Sequence, residues 1–577
     1  MGKINAFFGN PGIRPDIHHQ APIIVADQST DDEVATIKVE NGQELKFEEE
    51  HFEDEVASSD QSTAVELSQV NIENNGAITT SRGFTGLKKG WTDKTLDVLV
   101  DFAGGQIVFY CMWIILIIWI VLGIVYNAPF NWQVVMQDGQ SIQCYVWDTL
   151  LMRQQLTSTH EQIMICGQLQ SRMATFTHFL TKMGSSNSNS NSKASNDKSE
   201  KLDSNSNFEL NEREPSHHSN VAIDSVIIDK KSIEGELPVE NWYDRFSSVS
   251  SNIIGSVECM TLFWIGIIVW IICGIIPKDA GNSPPYTGRT TGSNPKLKKF
   301  SDDWQMYINT AVAVSLLICT TFLQNIRARH DKFISKFLVS TFDIESKIET
   351  KLRSHFKDFK TPNPVITIKA GKRSWGEKII DWYADVIGTG IGVVVAIIAF
   401  GVWIGIGSPL HWNDSWWLII GTYTGLVGFL DGFVIRQVYF RIVEYEEDNY
   451  ASVADADLKL FQLLGIDCPD EFTGKPNAVV TKTLNYKISA FVNKICSTQW
   501  SVLVSVLIII GLICASSGMR WSTTGQLIAN TPTMIIEEFF LIVLIQAHNW
   551  ADQQRRVEVS ALLARRHILL AYIDGHF

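Results

Sequence analysis

Eight side chains bring metal-ligating chemistry into apolar surroundings: Asp148, Met152, His160, Gln324, Asp431, Glu537, Glu538 and His548. Carboxylate, imidazole, amide and thioether donors in this mix suit a borderline divalent ion such as Fe2+, Mn2+ or Zn2+ better than an anion or an organic solute. An ionisable group at membrane depth costs about 2.5–3.5 kcal/mol on insertion scales, so each one marks a pathway unless it is paired. Pro532, with Thr531 as cap, reads as the start of the last helix, which puts Glu537 and Glu538 one to two turns below the outer surface. His548 follows Glu537 by eleven residues and returns to nearly the same face, a strip about 16 Å long. Asp148 begins a polar helix with Met152 one turn on and His160 deeper, while Gln324 and Asp431 fall in the inner half. Structural alternatives stand beside these readings. Glu537 and Glu538 would pair with Arg520, Arg153 or another buried Arg, Asp431 with Arg436, and His160 and His548 would be hydrogen-bonded polar residues at the inner interface. His330 with Asp331, His18-His19 and His217-His218 read as solvated. No P-loop, HExxH or GxSxG pattern occurs, so no catalytic residue, no enzyme activity and no cofactor are expected, and a metal would be cargo moving downhill.

Membrane-spanning helices must position these groups, since about 20 residues cross the hydrocarbon core and backbone polar groups in lipid are satisfied within the segment. Ile107–Tyr126, Cys259–Ile276, Met306–Leu323, Val386–Ile406, Trp416–Leu430 and Ser497–Met519 contain no charged residue, and Thr533–Ala547 contains only Glu537 and Glu538. Seven spans would separate the termini. Yet Arg82, Lys88, Lys89 and Lys94 precede the first run, and Arg555, Arg556, Arg565 and Arg566 follow the last. Basic flanks are cytoplasmic, so both termini are expected inside and an eighth crossing is required. Tyr145–Leu169 is the candidate, too polar for lipid and therefore enclosed by other helices. Loops 127–144, 407–415 and 516–532 are then external, and the base-rich loop 277–303 is the exception to the pattern.

The expected fold class is an all-α polytopic membrane protein of about eight helices in four hairpin repeats, with the second helices around a central metal route. Three first helices end in Trp119/Gly123, Trp270/Gly274 and Trp403/Gly407, the fourth has Gly511 and Ala515, and Trp132, Trp304, Trp412 and Trp521 follow. The pairs Gly388/Gly392, Gly401/Gly405, Gly421/Gly425 and Gly428/Gly432 read as close helix packing, with backbone contact to a permeating ion as the other option.

Composition agrees with this class: 45% of the 577 residues are hydrophobic and 19% charged. The formal charge of −14 is concentrated in residues 1–80, where sixteen acids meet four bases, so no basic face remains for phosphates and nucleic acid is excluded as a partner. Nine Cys without a CxxC give no disulfide framework or zinc ribbon. The first apolar run starts after residue 100, so no cleavable signal is expected. The organisation read from these shifts is an acidic, largely unstructured cytoplasmic tail (1–95), helix pair 1 (96–182), a Ser/Asn-rich cytoplasmic insert (183–235), pair 2 (236–345), a linker (346–380), pair 3 (381–445), a cytoplasmic segment (446–495), and pair 4 with a cytoplasmic C-terminus (496–577). The expected partners are transition-metal ions and the lipid bilayer, with a homo-oligomer left open.

The stretches NAPFNWQVVMQDGQSIQ (127–143), WDTLLMRQQL (147–156), GELPVENWYDR (235–245), WQMYINTAVAVSLLICTTFLQNIRARHD (304–331), GFLDGFV (428–434) and RWSTTGQLIANTPTMIIEEFF (520–540) closely resemble the fungal low-affinity iron permease family. The likeness runs from about residue 80 to the end and weakens in the acidic tail and the Ser/Asn insert. It implies a plasma-membrane permease for Fe2+ of broad selectivity, passing copper, zinc and manganese as well, and it brings no ligand set. The rival readings are a channel of other selectivity with a carboxylate ring, and a non-transporting membrane sensor or scaffold.

Overall fold

The computed structural model describes residues 14, 16–24, 38–39, 43–44, 70–72, 78–80, 98–99, 102–191, 230–275, 292–294, 299–388, 390–473 and 484–576. Most of the acidic tail and of the Ser/Asn insert lies outside the described residues. Polarity sorts the main helices into three kinds. The helices α1 (Gln106–Val125), α4 (Val257–Cys273), α7 (Gly390–Gly407) and α10 (Gln499–Gly518) are apolar all round. They leave side chains such as Ile114, Ile268, Ile397 and Leu507 exposed, as a lipid-facing layer does.

The helices α3 (Trp242–Ile254), α6 (Trp375–Ile387) and α9 (Leu484–Cys496) are short, and each runs into the apolar helix that follows. Asn241 with Asp244 and Ser374 with Glu377 form capping boxes that fix where α3 and α6 start. The helices α2 (Phe130–Asn191), α5 (Asp302–Phe356), α8 (Asp414–Leu464) and α11 (Thr523–His576) have 62, 55, 51 and 54 residues. At 1.5 Å per residue they are roughly 75–95 Å long, far more than the hydrocarbon core requires. Five helices (α1, α5, α8, α10, α11) are long and apolar enough to cross a membrane, and the bent pairs α3–α4 and α6–α7 raise the number to seven among the described residues. The chain is thus an all-α, multi-pass membrane protein.

The long helices form a square bundle in which α2 packs on α5 and α8, and α11 packs on the same two. Each apolar helix packs outside it, and it touches the long helix of a neighbouring hairpin: α1 on α5, α4 on α11, α7 on α2 and α10 on α8.

Stacked indoles clasp three of the hairpins. Trp119 and Trp132 lie with centroids 3.9 Å apart and an interplanar angle of 4°, and each Nε1 donates to the other's carbonyl. Trp270 with Trp304, and Trp403 with Trp416, repeat the arrangement. The glycine four residues on makes room, since a Cβ on Gly123 would stand 2.3 Å from the Trp132 ring. Two details differ from expectation. In the third hairpin Trp416, not Trp412, is the stacking partner, while Trp412 covers Gly407. In the fourth, the turn bond Trp521 N→Ser516 O matches Ala128 N→Gly123 O and Trp412 N→Gly407 O, so Ser516 rather than Gly511/Ala515 holds the equivalent place. Gly401 and Gly405 face open space instead of packing on a helix.

Two of the long helices also start earlier than expected. α2 begins at Phe130 inside the expected loop 127–144, so Asp148 sits five turns into it and does not open it. α11 begins at Thr523 and carries Pro532 in its interior. The Thr533 hydroxyl donates to the Ala529 and Asn530 carbonyls beside the missing amide, a local repair that makes proline tolerable in a membrane helix. Glu537 and Glu538 therefore lie about four turns from the start of their helix, not one to two.

Beyond the bilayer-length segments the four long helices continue as a bundle held by buried ion pairs. Arg566 bridges Glu345 and Asp457, both at 2.7 Å, and Arg172 faces Glu345 and Glu349. Burial holds the Glu345 carboxyl above its ordinary range against the pull of Arg566 and Arg172. Part of the expected unstructured tail is ordered on this bundle. β1 (Ile17–His19) pairs antiparallel with β2 (Ile366–Ile368), and Ala21 N donates to Ser171 Oγ at 3.1 Å. His19 is buried, in contrast to the solvated reading.

Candidate metal route

All four long helices line one central cavity. Cys144, Trp147, Asp148 and Leu151 come from α2, Leu316, Thr320, Leu323 and Gln324 from α5, Gly428, Gly432, Ile435 and Arg436 from α8, and Glu537, Phe540, Leu541 and Leu544 from α11. Sequence explains the access: a Cβ on Gly428 would stand 3.1 Å from Glu537 Oε2, so the bare glycine lets the carboxylate reach the axis. Cys144 lies one turn before Asp148, on the same face, and interacts with the Glu537 carboxylate.

Asp431 stands beside this cavity and not among its lining residues. Its carboxylate accepts a 2.6 Å hydrogen bond from the Tyr383 hydroxyl of α6, and it lies within electrostatic reach of both Asp148 and Glu537. Three carboxylates from three helices thus converge in low dielectric, and among the described residues none of them forms an ion pair. The alternatives that paired Glu537 with Arg520 or Arg153, and Asp431 with Arg436, are not what the structure has. Arg436 lines the cavity floor instead, with its Cζ 4.6 Å from the Phe540 ring centre. Its Nη2 reaches Asn493 Oδ1 at 3.5 Å, and among the described residues its Nε and Nη1 have no partner. Uncompensated buried charge is costly. Three carboxylates against one guanidinium leave two negative charges when ionised, which is the charge a single divalent cation neutralises.

The remaining expected residues are placed elsewhere. Glu538 points away from the cavity towards Ser315 on α5. Met152 is buried against Gly388 of the α6–α7 break, so its thioether does not face the cavity. The side chain of His160 lies outside the described residues. His548 is about 16 Å deeper than Glu537 along α11 and belongs to a second, charge-paired level: its Nδ1 lies 3.0 Å from Asp552 Oδ2. Asp552 also accepts from the Tyr439 hydroxyl at 3.2 Å and faces Arg327 at 3.7 Å. A smaller cavity here is lined by Gln155, Gln162, Arg327, His330, Glu446, Asp552 and Arg555 among others. His330 is buried, in contrast to the solvated reading, and so is Arg555, because α5 and α11 pack closely on each other.

Cys144, Thr320, Tyr383 and Arg436 were missed as site residues. The spacing of Cys144 and Asp148 on one helix face is a signal that could have found the first; Tyr383 sits on a short helix that hydropathy alone does not reveal. Among the described residues no three His, Cys, Asp or Glu side chains form a group able to hold a metal ion. The cavity is therefore lined by isolated polar side chains rather than by a chelating cage.

The family model for low-affinity iron permeases matches residues 377–441 and 486–571. The chain is 63% identical over 577 residues to the low-affinity Fe(2+) transport protein of Saccharomyces cerevisiae, covering 100% of this chain and 99% of that protein. It is 41% identical over 482 residues to the low-affinity iron/zinc ion transport protein fet4 of Schizosaccharomyces pombe, covering 84% of this chain and 73% of that protein. No solved structure matches it.

Proposed function

The chain belongs to the low-affinity iron permease family, and from that premise we propose that it takes up Fe2+ with low affinity across the plasma membrane along the axis of the long-helix bundle. Zinc, manganese and copper are expected to share the route. The observation that carries the reading is the convergence of Asp148, Asp431 and Glu537 from three helices around one cavity whose charge suits a divalent ion. Sparse ligands fit low affinity, because a permeating ion must bind well enough to enter and weakly enough to leave. No pump is needed: a divalent cation entering a cell gains about 4.6 kcal/mol per 100 mV of membrane potential.

In this reading eight helices span the membrane as four hairpin repeats, with α2 as the enclosed eighth crossing and both termini cytoplasmic. The position of residues 16–24 supports it, since they pack on the same end of the bundle as the last turns of α11 near Arg565 and Arg566. The shared Trp clasps and turn bonds support the repeat. The domain boundaries follow, with the tail 1–95, the insert 183–235 and the segments 346–380 and 446–495 on the cytoplasmic side, although α6 and α9 extend pairs 3 and 4 backwards to residues 375 and 484. Purified protein in liposomes tests the function: saturable Fe2+ influx in competition with Zn2+ or Mn2+ supports it, and metal-blind conductance or no flux contradicts it.

A further inference from the structure

The outer half of the bundle contains an acid that the central cavity does not use. Asp138 of α2 is 4% exposed, and among the described residues neither carboxylate oxygen has a hydrogen-bond partner. Across from it on α11, Asn530 is 2% exposed with its Oδ1 also unpartnered. Both side chains lie against bare backbone of α8. A Cβ on Gly421 would stand 3.1 Å from Asp138 Oδ1 and 3.8 Å from Asn530 Nδ2, and one on Gly425 would stand 2.5 Å from Asn530 Oδ1.

Helical spacing connects this place to the cavity below. Gly421 and Gly428 are seven residues apart, as are Asn530 and Glu537, so each pair lies on one face at levels separated by about 10 Å. The glycine face of α8 that admits Glu537 to the axis is therefore the same one that leaves room at Asp138.

We propose that Asp138 and Asn530 form an outer cation site, where a divalent metal is captured by the carboxylate and, with the Asn530 amide turned so that its oxygen rather than its nitrogen faces Asp138, by the amide oxygen before it passes to the Asp148–Glu537 level. This rests on the transport reading and adds its entry step. Only two protein side chains are offered, so the ion keeps most of its water. All-oxygen ligation favours hard and borderline ions such as Mn2+ and Fe2+ over soft Cu+. A buried carboxylate with no partner is costly, and a cation in the space beside Gly421 is what removes that cost.

The test uses the full-length protein in nanodiscs with Mn2+ as the probe, read by calorimetry and by electron paramagnetic resonance, together with Fe2+ uptake in cells at matched surface level. Asp138→Asn should remove one bound Mn2+ and raise the half-saturating Fe2+ concentration about tenfold. Gly421→Ala keeps every ligand but crowds the Asp138 carboxylate, and should weaken the same Mn2+ site without removing the inner one. Should Asp138→Asn misfold, Gly421→Ala carries the test alone. Unchanged Mn2+ stoichiometry and affinity in a folded variant would overturn the proposal. Loss of one Mn2+ in Asp138→Asn with normal uptake in Glu537→Gln would uphold the outer site and defeat the central one instead.

Discussion

The Glu537 carboxylate rests against the bare Cα of Gly428, in a space that a Cβ would enter to within 3.1 Å of Oε2. The glycine pairs of α8 thus do more than bring helices together: at this level the missing side chain is what admits a carboxylate to the axis. Gly428→Ala should consequently lower Fe2+ uptake by about tenfold, or about 1.4 kcal/mol of barrier, while the protein still reaches the surface. Uptake at matched surface level checks this, and full activity would mean that Glu537 has other room to reach the route.

The Trp clasps make a stability prediction independent of transport. Gly123→Ala would force a methyl towards the Trp132 ring, and overpacking of this kind typically costs about 1–3 kcal/mol. A fall in the melting temperature of the purified protein, with Gly401→Ala neutral because that glycine faces open space, is the expected pair of results.

In the lower bundle Arg566 bridges Glu345 and Asp457 with all three side chains buried. Arg566→Met leaves two carboxylates short of a partner, and breaking a buried pair costs about 3–5 kcal/mol. Reduced abundance and a lower melting temperature are expected. Changing Lys332, whose pair with Glu240 is exposed, should leave both nearly unchanged.

The ordered piece of the N-terminal segment divides the tail into two parts with different roles. Residues 16–24 bury Ile24 and His19 and hold Asn363, whose amide donates to the Ala21 and Pro22 carbonyls. Removing 16–24 should lower the amount of folded protein. Removing 40–69 should alter surface abundance more than flux per molecule. A large rise in the half-saturating metal concentration in the second deletion, at equal surface level, would mean that the acidic tail captures metal.

Much of this architecture was legible in the sequence because apolar runs and Trp-x3-Gly endings are local signals. Ile107–Tyr126 reads as a span on composition alone, and the Trp119/Gly123 ending marks a close packing site. What failed was whatever depends on neighbours. Pro532 is a strong local start signal, yet α11 begins at Thr523 and runs through it, packed on α5 and α8. The outer turns of α2 carry Gln133, Gln137, Asp138 and Gln140, polar enough to read as a loop until three other helices enclose them. Of the expected ligands, Asp148, Gln324 and Glu537 reach one cavity, whereas Met152 and Glu538 do not. Residue type is read from the sequence, but which face of a helix meets the axis is decided by the packing of all four long helices.

If the Asp148–Asp431–Glu537 level carries the ion, charge-neutral, nearly isosteric replacement of its carboxylates must stop the flux. Glu537→Gln, reconstituted in liposomes at wild-type density, should lose roughly a hundredfold in Fe2+ influx, about 2.7 kcal/mol of barrier, because an amide cannot offset the dehydration of a divalent ion. Asp148→Asn and Asp431→Asn should follow it, and Glu538→Gln, which faces Ser315, should act through stability. Wild-type influx kinetics in Glu537→Gln, Asp148→Asn and Asp431→Asn alike would contradict passage of the ion through that level.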